Sequence, residues 1–276
     1  MNTVIFQRIG DLCGSIGTTN FGAAIASVIR LFVNIDLLTI VVYKGDSAPL
    51  HVFDDFRTID ARQGMHKFLD QTYLLNAFYN HHKNGLKTGV YRLRELAPDL
   101  YFESAIHKEY SILTNDTEEA GYVTQGWPEG MEEVDIALAF DSETTAELGL
   151  YRATTGKGFS DEDLNKLRML LPMLEPVFQH HWNSVTAART SSPNPGSTAQ
   201  RAFDSFGEGQ ISARERQVLG MVLQGHSSES IASHLQISLT TVKTHRRRAY
   251  ERLSISTQAE LLALFLKHLN RISAGH

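Results

Sequence analysis

The sequence predicts an α+β domain, a five-stranded antiparallel sheet flanked by helices, followed by an all-α domain of four short helices. Three observations predict this. The last seventy residues carry four helix-start signals joined by very short connections. Upstream, β-branched and alternating segments are separated by turn residues and helical patterns. Between the two, residues 187–206 read AARTSSPNPGSTAQRAFDSF, rich in Ser, Pro and Gly and without an apolar period. That composition reads as a linker. The expected boundaries are 1–186, a linker at 187–206, and 207–276, and 276 residues suit about two domains.

In the first domain, residues 4–32 look helical, and Gly22, Ala23, Ala24 and Ala26 allow close packing. Residues 37–43 form a β-branched strand, 44–49 turn, and 50–53 return as a hairpin. A helix is expected over 61–79, interrupted near Asn76, then a polar loop over 81–88. Residues 90–96 read as extended or irregular, and Pro98 starts a helix to about Lys108. Strand candidates follow at 121–125, 134–140 and 146–153. Residues 160–163, Ser-Asp-Glu-Asp, cap a long helix with apolar residues from Leu164 to Phe178 at helical spacing; Pro172 and Pro176 inside it should bend it.

In the second domain, Ser212 with Glu215 and Thr257 with Glu260 are capping boxes. Ser227 and Ser238 are N-caps, and Gly225 suits a left-handed helix end. In the third helix Val242, His245, Ala249 and Leu253 share one face. Thr240, Lys243, Thr244 and Arg247 share the opposite face, with Arg246, Arg248 and Arg252 on the flanks. A helix apolar behind and basic in front fits a DNA major groove. Lys243 and Arg247 can donate to guanine, Thr240 and Thr244 can meet base edges, and the flanking arginines suit phosphates. Ser238 and Thr241 complete the expected DNA-facing set.

These residues resemble the helix-turn-helix of LuxR/NarL/FixJ-type bacterial transcription regulators. The motifs are Ser212-Ala-Arg-Glu-Arg-Gln-Val-Leu, Gln224-Gly225, Ser230-Ile-Ala, Ile237-Ser238, Thr241-Val-Lys-Thr-His245 and Leu253. The run Arg246-Arg247-Arg248 is more basic than the family's pattern, which leaves the preferred DNA sequence open. Residues 73–79, 89–98 and 158–162 resemble the GAF-like sensory halves of such regulators, and the element order matches GAF and PAS sensor domains. Asn76-Ala77 stands where acyl-homoserine-lactone receptors of this type carry Asp-Pro, so an ordinary quorum lactone is not expected.

Charge is divided unevenly. From Gly207 onward there are nine Lys and Arg against five Asp and Glu, a net +4, leaving 17 basic and 26 acidic residues, a net −9, to the remainder. The C-terminal part suits a polyanion and the N-terminal part does not. No run is long enough to span a bilayer, no apolar leader is present, and Cys13 is the sole cysteine, so a cytoplasmic protein without membrane attachment is expected.

Several motifs are set aside. The stretch Gly149–Gly158 lacks phosphate-loop spacing, and Lys157 precedes Gly158 where Ser or Thr is needed. Adjacent histidines at 81–82 and 180–181 point about 100° apart on a helix and make no chelating face. Cys13 reads as a buried structural thiol and His245 as a core residue. Glu132, Glu133 and Asp135 read as the solvated start of a strand. The order of elements excludes an alternating βαβα phosphoacceptor domain. No catalytic constellation, metal site or cofactor is expected.

Two function classes follow. The first is a regulator responding to a small organic effector held between the sheet and the helices of 61–79 and 98–108. Tyr43, Tyr73, Phe78, Tyr91, Phe102, Tyr122 and Trp127 are the expected lining, Asn76 could orient a polar group, and Glu103 could pair with an amine. The net −9 and the many rings tilt the expectation towards a cationic or aromatic effector. The alternative is a DNA-binding regulator whose N-terminal domain is a ligand-free interaction or dimerisation platform. In either class a homodimer is expected through Leu261, Leu264 and Phe265 of the fourth helix, with the 161–181 helix as a second contact. RNA polymerase is a possible further partner.

Overall fold

The computed structural model describes residues 2–57, 59–70, 72–97, 131–153, 156, 158–187 and 198–274. The helix expected at 98–108 and the strand expected at 121–125 lie outside them. The first described elements are α1 (Asn2–Gly14), α2 (Phe21–Ile29), β1 (Leu37–Lys44) and β2 (Leu50–Asp54). The single helix expected over 4–32 is therefore two. Ser15 and Thr18 hydroxyls donate to the carbonyls of Leu12 and Ser15, closing turns where α1 ends. Then come α3 (Ile59–Asp70), a 3-10 turn (Thr72–Leu75), α4 (Ala77–Lys83), β3 (Gly89–Arg92) and the one-turn α5 (Leu93–Leu96). The polar loop expected from 81 begins later, because α4 carries on through Lys83. Next are β4 (Met131–Ala139), β5 (Thr144–Ala153) and α6 (Asp161–Ala187), which runs through both Pro172 and Pro176. Ser160 caps α6, its hydroxyl accepting from Asp163 N while its own N–H donates to the Asp163 carboxylate.

The sheet has five strands, all pairs antiparallel, in the order β2-β1-β5-β4-β3. The expected count holds, but β3 comes from the stretch expected as extended or irregular. Strand alternation splits the sheet into two unlike faces. Leu38, Ile40, Val42, Val90, Val134, Ile136, Leu138, Ala146, Leu148 and Leu150 form one, packed with buried residues of α2 and α6. The other carries Thr39, Tyr43, Glu133, Asp135, Thr145, Glu147, Gly149 and Tyr151.

The last elements are α7 (Thr198–Ser205), α8 (Ala213–Leu223), α9 (Ser228–Leu235), α10 (Leu239–Leu253) and α11 (Gln258–Ala274). The expected linker is thus partly structured. Its helix α7 packs on α11, where Phe203 and Phe206 both meet the Phe265 ring edge-on at 5.6 and 5.5 Å. Two aromatic residues three apart suffice to dock two turns of helix, which a search for a long apolar period overlooks. Two compact units result. Among the described residues, the first holds 2–57, 81–95, 131–153, 156 and 158–187; the second holds 59–70, 72–80, 96–97 and 198–274. The second therefore includes α3 and the 3-10 turn, which packs on α7. Gln224 Nε2 donates to Asn80 Oδ1 within it at 2.9 Å.

Candidate functional site

Local chemistry sets the position of α10. Ser212, Ser227 and Ser238 accept from Glu215, Ser230 and Thr241 N–H groups, and Ser212 with Glu215 closes the reciprocal box. At the end of α8, Gly225 (φ 90°) allows two backwrapped bonds, Gly225 N to Val222 O and His226 N to Met221 O. The ends of α9 and α10 repeat the geometry with Gln236 (φ 51°) and Ser254 (φ 55°) in the left-handed position. Behind α10, Val242, Ala249 and Leu253 are buried, and His245 is half-buried rather than wholly in the core.

In front, Thr240, Lys243, Arg247 and Arg248 are exposed, and Thr241, Thr244 and Arg246 are half-exposed beside Ser238 at the cap. The expected row is thus one surface. Among the described residues Arg247 meets Glu251, at 3.7 Å with both side chains largely exposed, a pair weak enough to exchange for a base or phosphate. The Arg246 guanidinium lies 5.2 Å from the Tyr250 ring centroid, and the Thr244 hydroxyl donates to Thr240 O. Arg252, expected on a phosphate-facing flank, also has a partner within the fold. Its Nη1 is 2.7 Å from Glu215 Oε2, so the fold itself holds it. Burial opposes ionisation of Glu215, but the Ser212 N–H and hydroxyl and the Arg252 charge outweigh it and hold the carboxyl below its usual range.

The sheet's second face overturns the reading of Glu133 and Asp135 as solvated. Asp135 is fully buried, Glu147 is 6% exposed, and the nearest oxygens of Glu133, Asp135 and Glu147 all lie within 4.8 Å of one another. Register explains the cluster: Asp135 pairs with Gly149, Ala137 with Glu147 and Glu133 with Tyr151, so Glu147 of β5 joins the two acids of β4 in one patch. Tyr151 donates to Glu133 at 2.7 Å and Tyr43 to Glu147 at 2.6 Å. A Cβ on Gly149 would lie 2.9 Å from the Tyr151 hydroxyl, so glycine makes room for that phenol. Among the described residues no backbone or cationic group hydrogen-bonds either buried Asp135 oxygen. Burial pushes all three carboxyls up, Glu133 to about 7 and Glu147 to about 8, and the two neighbouring acids raise Asp135 further. Glu132, one residue away on the other face, is by contrast paired with the buried Arg92 at 2.7 Å.

Residues 210–265 match the family described as bacterial regulatory proteins, luxR family. An HTH-type transcriptional regulator named for the exeN 3′ region of Aeromonas salmonicida is 32% identical over 160 residues, which are 56% of this chain and 80% of that one. The chain belongs to the luxR family of bacterial regulatory proteins. Its N-terminal fold is that of the VqsR LBD domain from Pseudomonas aeruginosa, with a TM-score of 0.50 and 18% identity over 66% of this chain and 97% of that one. Escherichia coli SdiA aligns over 94% of both chains with a TM-score of 0.38 and 14% identity.

This luxR-family transcriptional regulator thus carries a C-terminal DNA-binding helix-turn-helix behind an α+β domain. Of its expected effector residues, Tyr43 and Tyr91 belong to the first unit; Tyr73, Asn76 and Phe78 belong to the second. Tyr43 is fully buried, bonded to Glu147 and 5.6 Å from the His82 ring, while Tyr91 donates to the Lys87 carbonyl. Asn76 is a helix cap, its side-chain oxygen accepting from Tyr79 N, rather than a group held out to a ligand. Phe102, Glu103, Tyr122 and Trp127 lie outside the described residues. The expected dimer residues also need correction. Leu261 and Phe265 are fully buried within one chain, with Phe265 against α7, so neither is offered to a partner; Leu264 is half-exposed. The reading also took Cys13 as buried, and it is exposed.

Proposed function

We propose that this regulator binds duplex DNA as a homodimer and changes its DNA affinity when a small organic effector occupies the N-terminal domain. It works in the cytoplasm, without catalysis, and acts on transcription through RNA polymerase. The observation that carries the effector is the asymmetry of the sheet: one face is an ordinary apolar core, whereas the other gathers buried acids and tyrosines that packing alone does not call for. Lys243, Thr244 and Arg247 read bases, and Thr240, Thr241, Arg246 and Arg248 border them. With Leu261 and Phe265 already packed, dimerisation falls to the outward side of α6, where Met169 is 79% exposed and Pro172 and Pro176 are exposed.

The test is a duplex selected from genomic fragments by the full chain, its affinity then followed with and without the small-molecule fraction of a bacterial extract. A reproducible change in affinity supports the proposal, since an effector acts only through different affinity for two states. Affinity that ignores every fraction contradicts it.

A further inference from the structure

DNA reading by α10 has no use for two buried acids and a half-buried one gathered on one sheet face. Burying carboxylates is costly unless each finds hydrogen bonds or an opposite charge. Glu133 and Glu147 each accept from a tyrosine hydroxyl. Asp135, fully buried between them, has only the Glu133 carboxyl within reach, and among the described residues no backbone N–H, Lys, Arg or His pairs with it or forms an ion pair with the other two. Among the described residues no cationic donor stands at the centre of the cluster. The groups facing Asp135 there are Glu133 on its own strand, Glu147 and Tyr151 on β5, Tyr43 on β1 and Tyr91, its register partner on β3.

We propose that Glu133, Asp135 and Glu147 form the anionic floor of a site for an organic ammonium, a primary amine on an apolar or aromatic body. This rests on the effector reading above and gives that effector its chemical class. A primary ammonium offers three donors, one for each carboxylate. The phenol rings of Tyr43 and Tyr151 border the same patch and favour a cation over a neutral guest. A hard divalent ion fits less well. It takes about six or more oxygens, and one oxygen of Glu133 and one of Glu147 are already bonded to tyrosine. Because burial raises the carboxyl pKa values, part of the cluster's charge is titrated away at neutral pH, and one positive charge suffices to balance what remains.

The experiment follows the thermal midpoint and the calorimetric titration of the full chain at pH 8 with phenethylamine and butylamine. Butan-1-ol serves as the uncharged control, and calcium and manganese chloride as metal controls. Either amine should raise the midpoint in a concentration-dependent way, and butan-1-ol should not. Asp135→Asn and Glu147→Gln should each weaken amine binding at least tenfold and leave the midpoint of the unliganded protein no lower than the parent's, since each removes a buried ionisable acid while keeping shape. The second readout separates a binding site from a structural cluster, whose loss would lower the midpoint. The proposal is overturned if neither amine binds the parent protein, if the metal ions bind in their place, or if both variants melt lower than the parent and bind amine as it does. Should an extract fraction still alter DNA affinity while amines do nothing, the effector reading survives and the amine assignment alone fails. If neither acts, both fail.

Discussion

The C-terminal helices and the second face of the sheet handle a buried carboxylate in opposite ways. Glu215, 3% exposed, accepts from the Ser212 N–H and meets Arg252 at 2.7 Å, and its carboxyl is held below the usual range. Asp135 is equally buried, has no backbone or cationic partner among the described residues, and its carboxyl is pushed up by burial and two neighbouring acids. A satisfied buried charge fixes structure, whereas an unsatisfied one stores free energy that a ligand can release. The helical domain is built to hold α10 still. On the proposed reading, the sheet keeps an acid for a ligand to satisfy.

The largest effect should come from giving the helical domain the defect that the sheet carries. Leu261→Asp places an unpaired acid at a fully buried position of α11 and should destabilise by at least about 3 kcal/mol, read as loss of the cooperative urea transition. Next, Arg247→Ala should cost about 1–3 kcal/mol of specific DNA affinity and relax sequence preference, while Arg248→Ala weakens all sequences alike and flattens the salt slope; a competition binding assay separates them. Arg252→Ala, by contrast, should lower stability more than DNA affinity, because that side chain holds Glu215.

Replacing Glu215 by Gln should cost about 1–3 kcal/mol. The sign of its pH dependence is fixed by its depressed pKa: the stabilisation is present above the ordinary glutamate value of 4.5 and is lost as pH falls below it. The sheet should show the reverse. Glu133 and Glu147, raised to about 7 and about 8, favour the fold below 4.5 and progressively less as pH rises through 8. The unliganded parent should therefore melt lower at pH 8.5 than at pH 6, with Asp135→Asn reducing that fall; a pH-independent midpoint in the parent would show the cluster already neutralised. The smallest effect is Gln236→Gly, which relieves a left-handed non-glycine residue between α9 and α10 and should stabilise by about 1 kcal/mol, measured by urea midpoint.

The same contrast explains what the residues disclosed in advance. Ser212, Ser227, Ser238 and Gly225 each act within four residues of their partners, so caps, helix starts and the two faces of α10 are legible from spacing alone. The hairpin of β1 and β2 and the long helix α6 are likewise local. The acid cluster is not, because Asp135 and Glu147 meet only through the register of β4 on β5. A signal did exist: Glu133 and Asp135 lie on the side of β4 opposite Val134, Ile136 and Leu138, and two acids on one side of a central strand are either solvated or functional. Exposure alone decides between these, and it depends on what covers the sheet. Arg252 with Glu215 and Phe203 with Phe265 were missed for the same reason, since each joins separate helices.

The most direct measurement is fluorescence anisotropy of a selected DNA duplex titrated with the full chain, with and without saturating phenethylamine, for the parent and for Asp135→Asn. The expected result is a change in the parent's DNA affinity on adding the amine and no such change in the variant, with the two proteins alike in one ligand state. An affinity that responds equally in both proteins, or in neither, would contradict an acidic sheet face that controls a basic helix.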